Sequence, residues 1–121
     1  MNELNIIQFA LNDLSEIVYK NAEEKGFHDE DKERSDVQNY AIWTANMHGE
    51  VSELWEAARK GQLLDTCDKE CDLTCEEEEL ADIIIRALDT ACARGIDIGH
   101  AVLTKHEYNT TSSHKHGGKL A

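Results

Sequence analysis

The sequence predicts an all-α subunit, a four-helix, bundle-like fold whose core is completed by oligomerisation. Three observations carry this. Apolar residues recur at steps of three and four along successive segments. Two segments open with capping-box patterns, Ser35-Asp36-Val37-Gln38 and Thr74-Cys75-Glu76-Glu77. The chain has no proline, which fits helices joined by short turns, and no strand-like alternation.

The first helix is marked by Leu4, Ile7, Leu11, Leu14 and Val18, with Lys25-Gly26 as its stop. The charged stretch from Phe27 to Arg34 reads as an exposed loop. The second helix runs from the Ser35 cap to Arg59-Lys60-Gly61, with Val37, Tyr40, Thr44, Met47, Val51, Leu54 and Ala58 as its stripe. The third starts at Thr74 with acids in its first turn, where the helix dipole favours them, and passes through Leu80, Ile83, Ile84, Ala87 and Ala91 to Arg94-Gly95. Asp97 caps a fourth, from Ile98 to about Tyr108. The tail after Asn109 lacks periodicity, and residues 1–121 read as a single domain with 111–121 as a flexible tail.

Twelve Lys+Arg stand against 25 Asp+Glu, a net charge of −13. Such a field repels phosphate backbones and argues against a nucleic-acid partner. No basic n-region precedes the first apolar residues, and the longest aliphatic run, Ile83-Ile84-Ile85, is far short of the ~20 residues of a membrane helix. The expectation is a cytoplasmic protein without a membrane partner. Its four cysteines then read as reduced thiols.

At about 100° per residue, with Met47 at zero, Glu50 falls near −60° and Glu53 near −120° on the second helix. Trp43 and Asn46 share that flank, whereas Glu56 points to the opposite side. On the third helix Glu79 and Asp82 repeat the three-residue spacing, followed by Arg86 and Asp89. Two such pairs on facing helices would bring four carboxylates together, and that cluster needs cations. All-oxygen donors suit Mg²⁺, or Mn²⁺ in its place. Taken singly, each pair is equally a solvated helix face. A ferritin-like di-iron site is disfavoured, since no histidine follows a Glu at three residues.

These residues also resemble a family. Glu50-x-x-Glu53, then 25 intervening residues, then Glu79-x-x-Asp82 is similar to the metal motif of the MazG-like, all-α nucleoside triphosphate pyrophosphohydrolases. The words EVSELWEAARKG and EELADIIIRALD look like that family's two central helices. The ending Lys105-x-x-x-Asn109 with His116-Gly117-Gly118-Lys119 resembles one of its branches. The match spans residues 36–119. Gly49 stands where the family often has Glu, and Ser112-Ser113 where it usually has Arg-Pro.

The resemblance implies cleavage of a nucleoside triphosphate between its α and β phosphates, giving monophosphate and pyrophosphate. It implies Mg²⁺ held by Glu50, Glu53, Glu79 and Asp82, with Glu53 or Glu50 as the base toward an attacking water. Lys105, Asn109 and Lys119 would hold phosphate oxygens, with Arg86, Asn46 and His116 as further substrate contacts. Trp43 would stack on the base, or else pack in the core. Apolar flanks that four short helices leave uncovered predict a homodimer or a dimer of dimers.

Two other readings stay open: a non-catalytic acidic helical protein that binds a basic partner, and a nucleotide binder without turnover. Cys67, Cys71 and Cys75 lie four apart, but this is not the usual zinc spacing, and Cys92 lies about 25 Å along the helix from Cys75. They read as ordinary loop thiols.

Overall fold

The computed structural model describes residues 2–68 and 70–111. Among them the chain forms α1 (Glu3–Glu24), a 3-10 turn (Asp31–Glu33), α2 (Asp36–Arg59), strands β1 (Thr66–Asp68) and β2 (Leu73–Thr74), α3 (Cys75–Ala93) and α4 (Ile98–Thr111). The four expected helices are present. The caps explain where they start. Ser35 accepts from the backbone N–H of Gln38 while the Gln38 side chain accepts from Ser35 N. Thr74 and Glu77 make the same reciprocal pair. Asp97 accepts from His100 N at 2.9 Å and starts α4. α1 ends as expected, with Gly26 in the left-handed region at φ 88°. α4 runs past the expected end, through Asn109 to Thr111.

α3 is the central element, packed on α2 along one side and on α1 along another, while α4 lies on α1. The α1–α4 approach is close because of one residue. A Cβ on Gly99 would stand 2.3 Å from the Gln8 carbonyl oxygen, so only glycine lets the backbones meet. Around it, Asn12 and Gln8 donate to Asp97, and Asn12 accepts from Gly99 N. On the α1–α3 contact, Ser15 Oγ donates to the Leu88 carbonyl at 2.6 Å.

Three expectations are corrected. First, the stretch from Phe27 to Arg34 is not simply an exposed loop. His28 is buried, with Nδ1 on the Asp31 carboxylate and Nε2 on Asp89 of α3 at 2.7 Å. When the ring is protonated both nitrogens donate to ionised carboxylates, and His28 is then a cation between two anions. Burial pulls the His28 pKa down, but the bonds to Asp89 and Asp31 outweigh it and hold it above the ordinary value. Arg34 and Asn39 complete the knot: Arg34 donates to Asn39, and Asn39 donates to the Asp31 carbonyl.

Second, α2 is rolled relative to its apolar stripe. Its buried residues are Asn39, Trp43 and Ala57, with Met47, Glu50 and Leu54 half-buried, whereas Val37 is 80% exposed. The roll is roughly 60°, towards the Glu50 flank. Likewise α3 buries Cys75, Glu79, Leu88, Thr90 and Ala91, leaving Leu80 and Ile84 about half exposed. Third, the connector after α2 is not featureless. β1 and β2 pair antiparallel, Thr66 with Thr74 and Asp68 with Leu73, and Cys67 is disulfide-bonded to Cys75 rather than a free thiol. Among the described residues no helix is long and apolar enough to cross a membrane.

Candidate metal centre

Because α2 is rolled, Glu50 lies in the seam against α3 instead of beside it. Glu79, one helical turn beyond Cys75, is buried on the opposing face. Glu50, Glu53 and Glu79 each present a carboxylate oxygen within 4.8 Å of the other two. Three negative charges this close, one of them buried, cannot all stay ionised without compensation. Glu79 records the conflict. Burial, then hydrogen bonding to and repulsion from Glu53 and Glu50, push its pKa up to about 8. Its Oε2 atom is buried without a hydrogen-bond partner among the described residues. A cation would satisfy that oxygen.

Asp82 stands apart from the group of three. The fourfold convergence expected from the spacing is therefore a threefold one. Asp82 is half-buried one turn further along α3, and its pKa is raised by burial and by the charge of Glu50, with Arg86 pulling it back. Arg86 reaches Glu50 Oε1 at 3.4 Å through both Nε and Nη2, a long contact that offsets one of the acids. Next to these residues a cleft of about 460 Å³ opens between α1 and α3, walled by Ile17, Asn21 and Phe27 on one side and Asp82, Arg86 and Asp89 on the other. Glu56, expected to point away, pairs with Arg59 and Lys60 of its own helix. These partners hold its carboxyl below the ordinary range.

The other expected substrate contacts are not gathered here. Trp43 is core: 8% exposed, with its ring edge-on to His28 and Tyr40, it offers no open face for a base to stack on. Asn46 is exposed on α2. Lys105 and Asn109 border a shallow hollow on α4 with Ala101, Val102 and His106, and Lys105 Nζ sits 4.5 Å over the Tyr108 ring. α4 meets α1 near Gln8, and its later turns lie beside Leu4. The cleft walled by Asp82 and Arg86 lies at Ile17 to Ala22 of α1. From Leu4 to Ile17 is roughly 20 Å along the helix, so within one chain Lys105 and Asn109 are remote from that cleft. Ser112, Ser113, His116 and Lys119 lie outside the described residues.

Sequence reasoning placed Asp89 on the acid face of α3 but missed its bond to His28, which joins the α1–α2 connection to the helix that carries Glu79. The His28-x-x-Asp31 spacing was a local signal, but the bond to Asp89 spans 61 residues and has no sequence signature. Comparison with family models, curated proteins and solved structures finds no match to this chain.

Proposed function

We propose that the chain is a Mg²⁺-dependent nucleoside triphosphate pyrophosphohydrolase that cleaves between the α and β phosphates, with Mn²⁺ able to replace Mg²⁺. The observation that carries the reading is the convergence of Glu50, Glu53 and buried Glu79 with an unsatisfied oxygen. Arg86, which reaches Glu50, also walls the cleft of about 460 Å³ on the α1 side of α3. The donor set fits the ion: it is all carboxylate, hard and anionic, with no sulfur or imidazole. The resemblance of Glu50-x-x-Glu53 and Glu79-x-x-Asp82 to the MazG-like motif supports the same assignment. Acids converging in a helix seam also fit this reading better than an acidic partner-binding face, where they would be spread over the surface.

In this reading Glu50, Glu53 and Glu79 hold the cation, with Asp82 reached from the same helix face. A bound Mg²⁺ supplies the positive charge that a −13 protein needs to accept a triphosphate. Glu53 is the exposed member of the cluster and can take a proton from an attacking water. Arg86, already turned towards Glu50, can transfer its guanidinium to a phosphate oxygen. A panel of nucleoside triphosphates with Mg²⁺ tests this. Monophosphate and pyrophosphate in equal amounts are expected, and none without the ion. Orthophosphate as the main product, or undiminished turnover in excess chelator, would refute it.

The working unit is a homodimer or a dimer of dimers, in the cytoplasm. No large side chain is wholly enclosed in the described subunit, while Leu4, Ile17, Val37 and Trp55 are each at least 60% exposed. A 121-residue chain with that much uncovered apolar surface gains stability by burying it against a second copy. Light scattering at micromolar concentration should give at least twice the 13.6 kDa chain mass. A monomeric mass would contradict it.

A further inference from the structure

We propose that Cys67, Cys71 and Cys75 form a thiol–disulfide exchange site that controls how firmly the first turns of α3, and with them Glu79, are held. Its consequence for cation binding rests on the reading above; the exchange itself does not. Cys75 is the first residue of α3 and is buried, and its disulfide to Cys67 ties the helix start to β1. Cys71, outside that bond, is exposed on the turn between the strands, four residues from each of the others.

The connector does more than link α2 to α3. Cys75 N donates to the Asp65 carbonyl at 2.7 Å and Glu76 N to the Leu63 carbonyl at 3.0 Å. Two N–H groups that a helix start leaves without intrahelical partners thus end on connector backbone. With the disulfide in place the connector cannot drift from them. Once it is broken, they are held by hydrogen bonds alone, and the start of α3 is free to fray. Glu79 follows Cys75 by four residues, one turn along the same face, so fraying there loosens a member of the carboxylate cluster.

Cys67 is the exposed end of the bond and Cys75 the buried one, so an incoming thiolate meets the Cys67 sulfur. A dithiol reductant attacks there, forms a mixed disulfide and expels the Cys75 thiolate, which takes up a proton. Its second thiolate then closes onto the first, releasing Cys67 as a thiol. Two electrons pass to the protein, and the reductant leaves as a cyclic disulfide. Cys71 can make the first attack itself, forming Cys67–Cys71 and expelling Cys75 with no net oxidation or reduction. Either route unpins α3.

The test compares the full chain after air oxidation and after dithiothreitol. Mass spectrometry with thiol alkylation should find Cys67 and Cys75 protected in the oxidised protein and labelled in the reduced one. Reduction should speed amide hydrogen exchange across residues 63–79 and lower the melting temperature by roughly 5–10 °C. It should also weaken Mn²⁺ binding about fivefold. Cys67→Ser combined with Cys71→Ser, which leaves Cys75 no second thiol in the connector, should reproduce the reduced behaviour in air.

At mildly alkaline pH the wild type should contain a Cys67–Cys71 isomer, which Cys71→Ser abolishes. Absence of the Cys67–Cys75 bond after oxidation, or equal exchange rates for residues 75–79 in both states, would overturn the proposal. A single disulfide isomer at all pH values would overturn the role of Cys71. Should Mn²⁺ bind neither form, the metal reading fails, while the exchange rates still decide the disulfide's role.

Discussion

Glu79→Gln is expected to lower pyrophosphate release by at least about a thousandfold while the protein keeps its helical content. Glutamine has the same shape but one charge fewer, and its amide N–H₂ presents a donor where a cation needs an acceptor. Glu79 is the buried member of the cluster, so water is poorly placed to replace the lost oxygen. Glu50→Gln and Glu53→Gln should cost as much, because each supplies an oxygen within 4.8 Å of the others. Asp82→Asn should cost less, roughly 10- to 100-fold, since Asp82 lies outside that group. Glu56→Gln is the control. Its partners are Arg59 and Lys60 on its own helix, and the change should leave turnover within about twofold. Near-normal turnover in a Glu79→Gln protein would remove Glu79 from the machinery.

The same substitution should stabilise the metal-free protein. The Glu79 pKa is about 8 in the fold, against an ordinary value of 4.5. Below pH 4.5 the carboxyl is protonated in both folded and unfolded chains and costs nothing. Between 4.5 and 8 the unfolded chain releases the proton while the fold retains it, so metal-free stability falls as pH rises, and levels off above 8. Without a proton to lose, glutamine removes this slope. Relieving a buried, repelled carboxyl is worth roughly 1–3 kcal/mol, or about 5–10 °C in melting temperature at pH 8.

His28 adds a slope of the same sign. Its pKa is raised in the fold, so its stabilising contribution is complete below 6.5 and lost as pH rises through the folded value. This part persists in Glu79→Gln. Millimolar Mg²⁺ should reduce the wild-type slope, because an ion bound to the fold favours the ionised cluster. Melting curves of both proteins from pH 5 to 9, with and without Mg²⁺, check the prediction. A wild type whose melting temperature rises between pH 5 and 8 would contradict it.

The helices and their caps were legible because their causes are local. Ser35 with Gln38 and Thr74 with Glu77 satisfy backbone groups within four residues, whatever the rest of the chain does. Which way each helix turns was not. Apolarity marked Val37 and Val51 as the inner stripe of α2, yet these stay exposed while Asn39 and Trp43 go inside. Asn39 is buried because Arg34 and the Asp31 carbonyl pair with it, and Trp43 because His28 supplies an aromatic neighbour. Neither partner can be inferred from hydrophobic periodicity.

The carboxylate cluster was legible for a related reason. The three-residue spacing keeps two acids on one side of each helix, and the roll of α2 then brings Glu50 onto α3 rather than away from it. Lys105 and Asn109 illustrate the opposite case. They share a face of α4, as their four-residue spacing requires, but the path of that helix along α1 depends on Gly99 meeting Gln8. A sequence motif carries no information on that path. The Cys67–Cys75 pairing was hidden too, since it depends on a hairpin of five strand residues with no alternation to announce it.

The central claim is that water attacks the α phosphorus of a nucleoside triphosphate at the Glu50–Glu53–Glu79 cluster. Hydrolysis of a turned-over triphosphate in ¹⁸O-water with Mg²⁺, followed by ³¹P NMR, reads this directly. The account predicts one ¹⁸O in the nucleoside monophosphate and none in the pyrophosphate, with the signal lost in Glu79→Gln. Label in pyrophosphate or orthophosphate, or label in the monophosphate that survives Glu79→Gln, would contradict it.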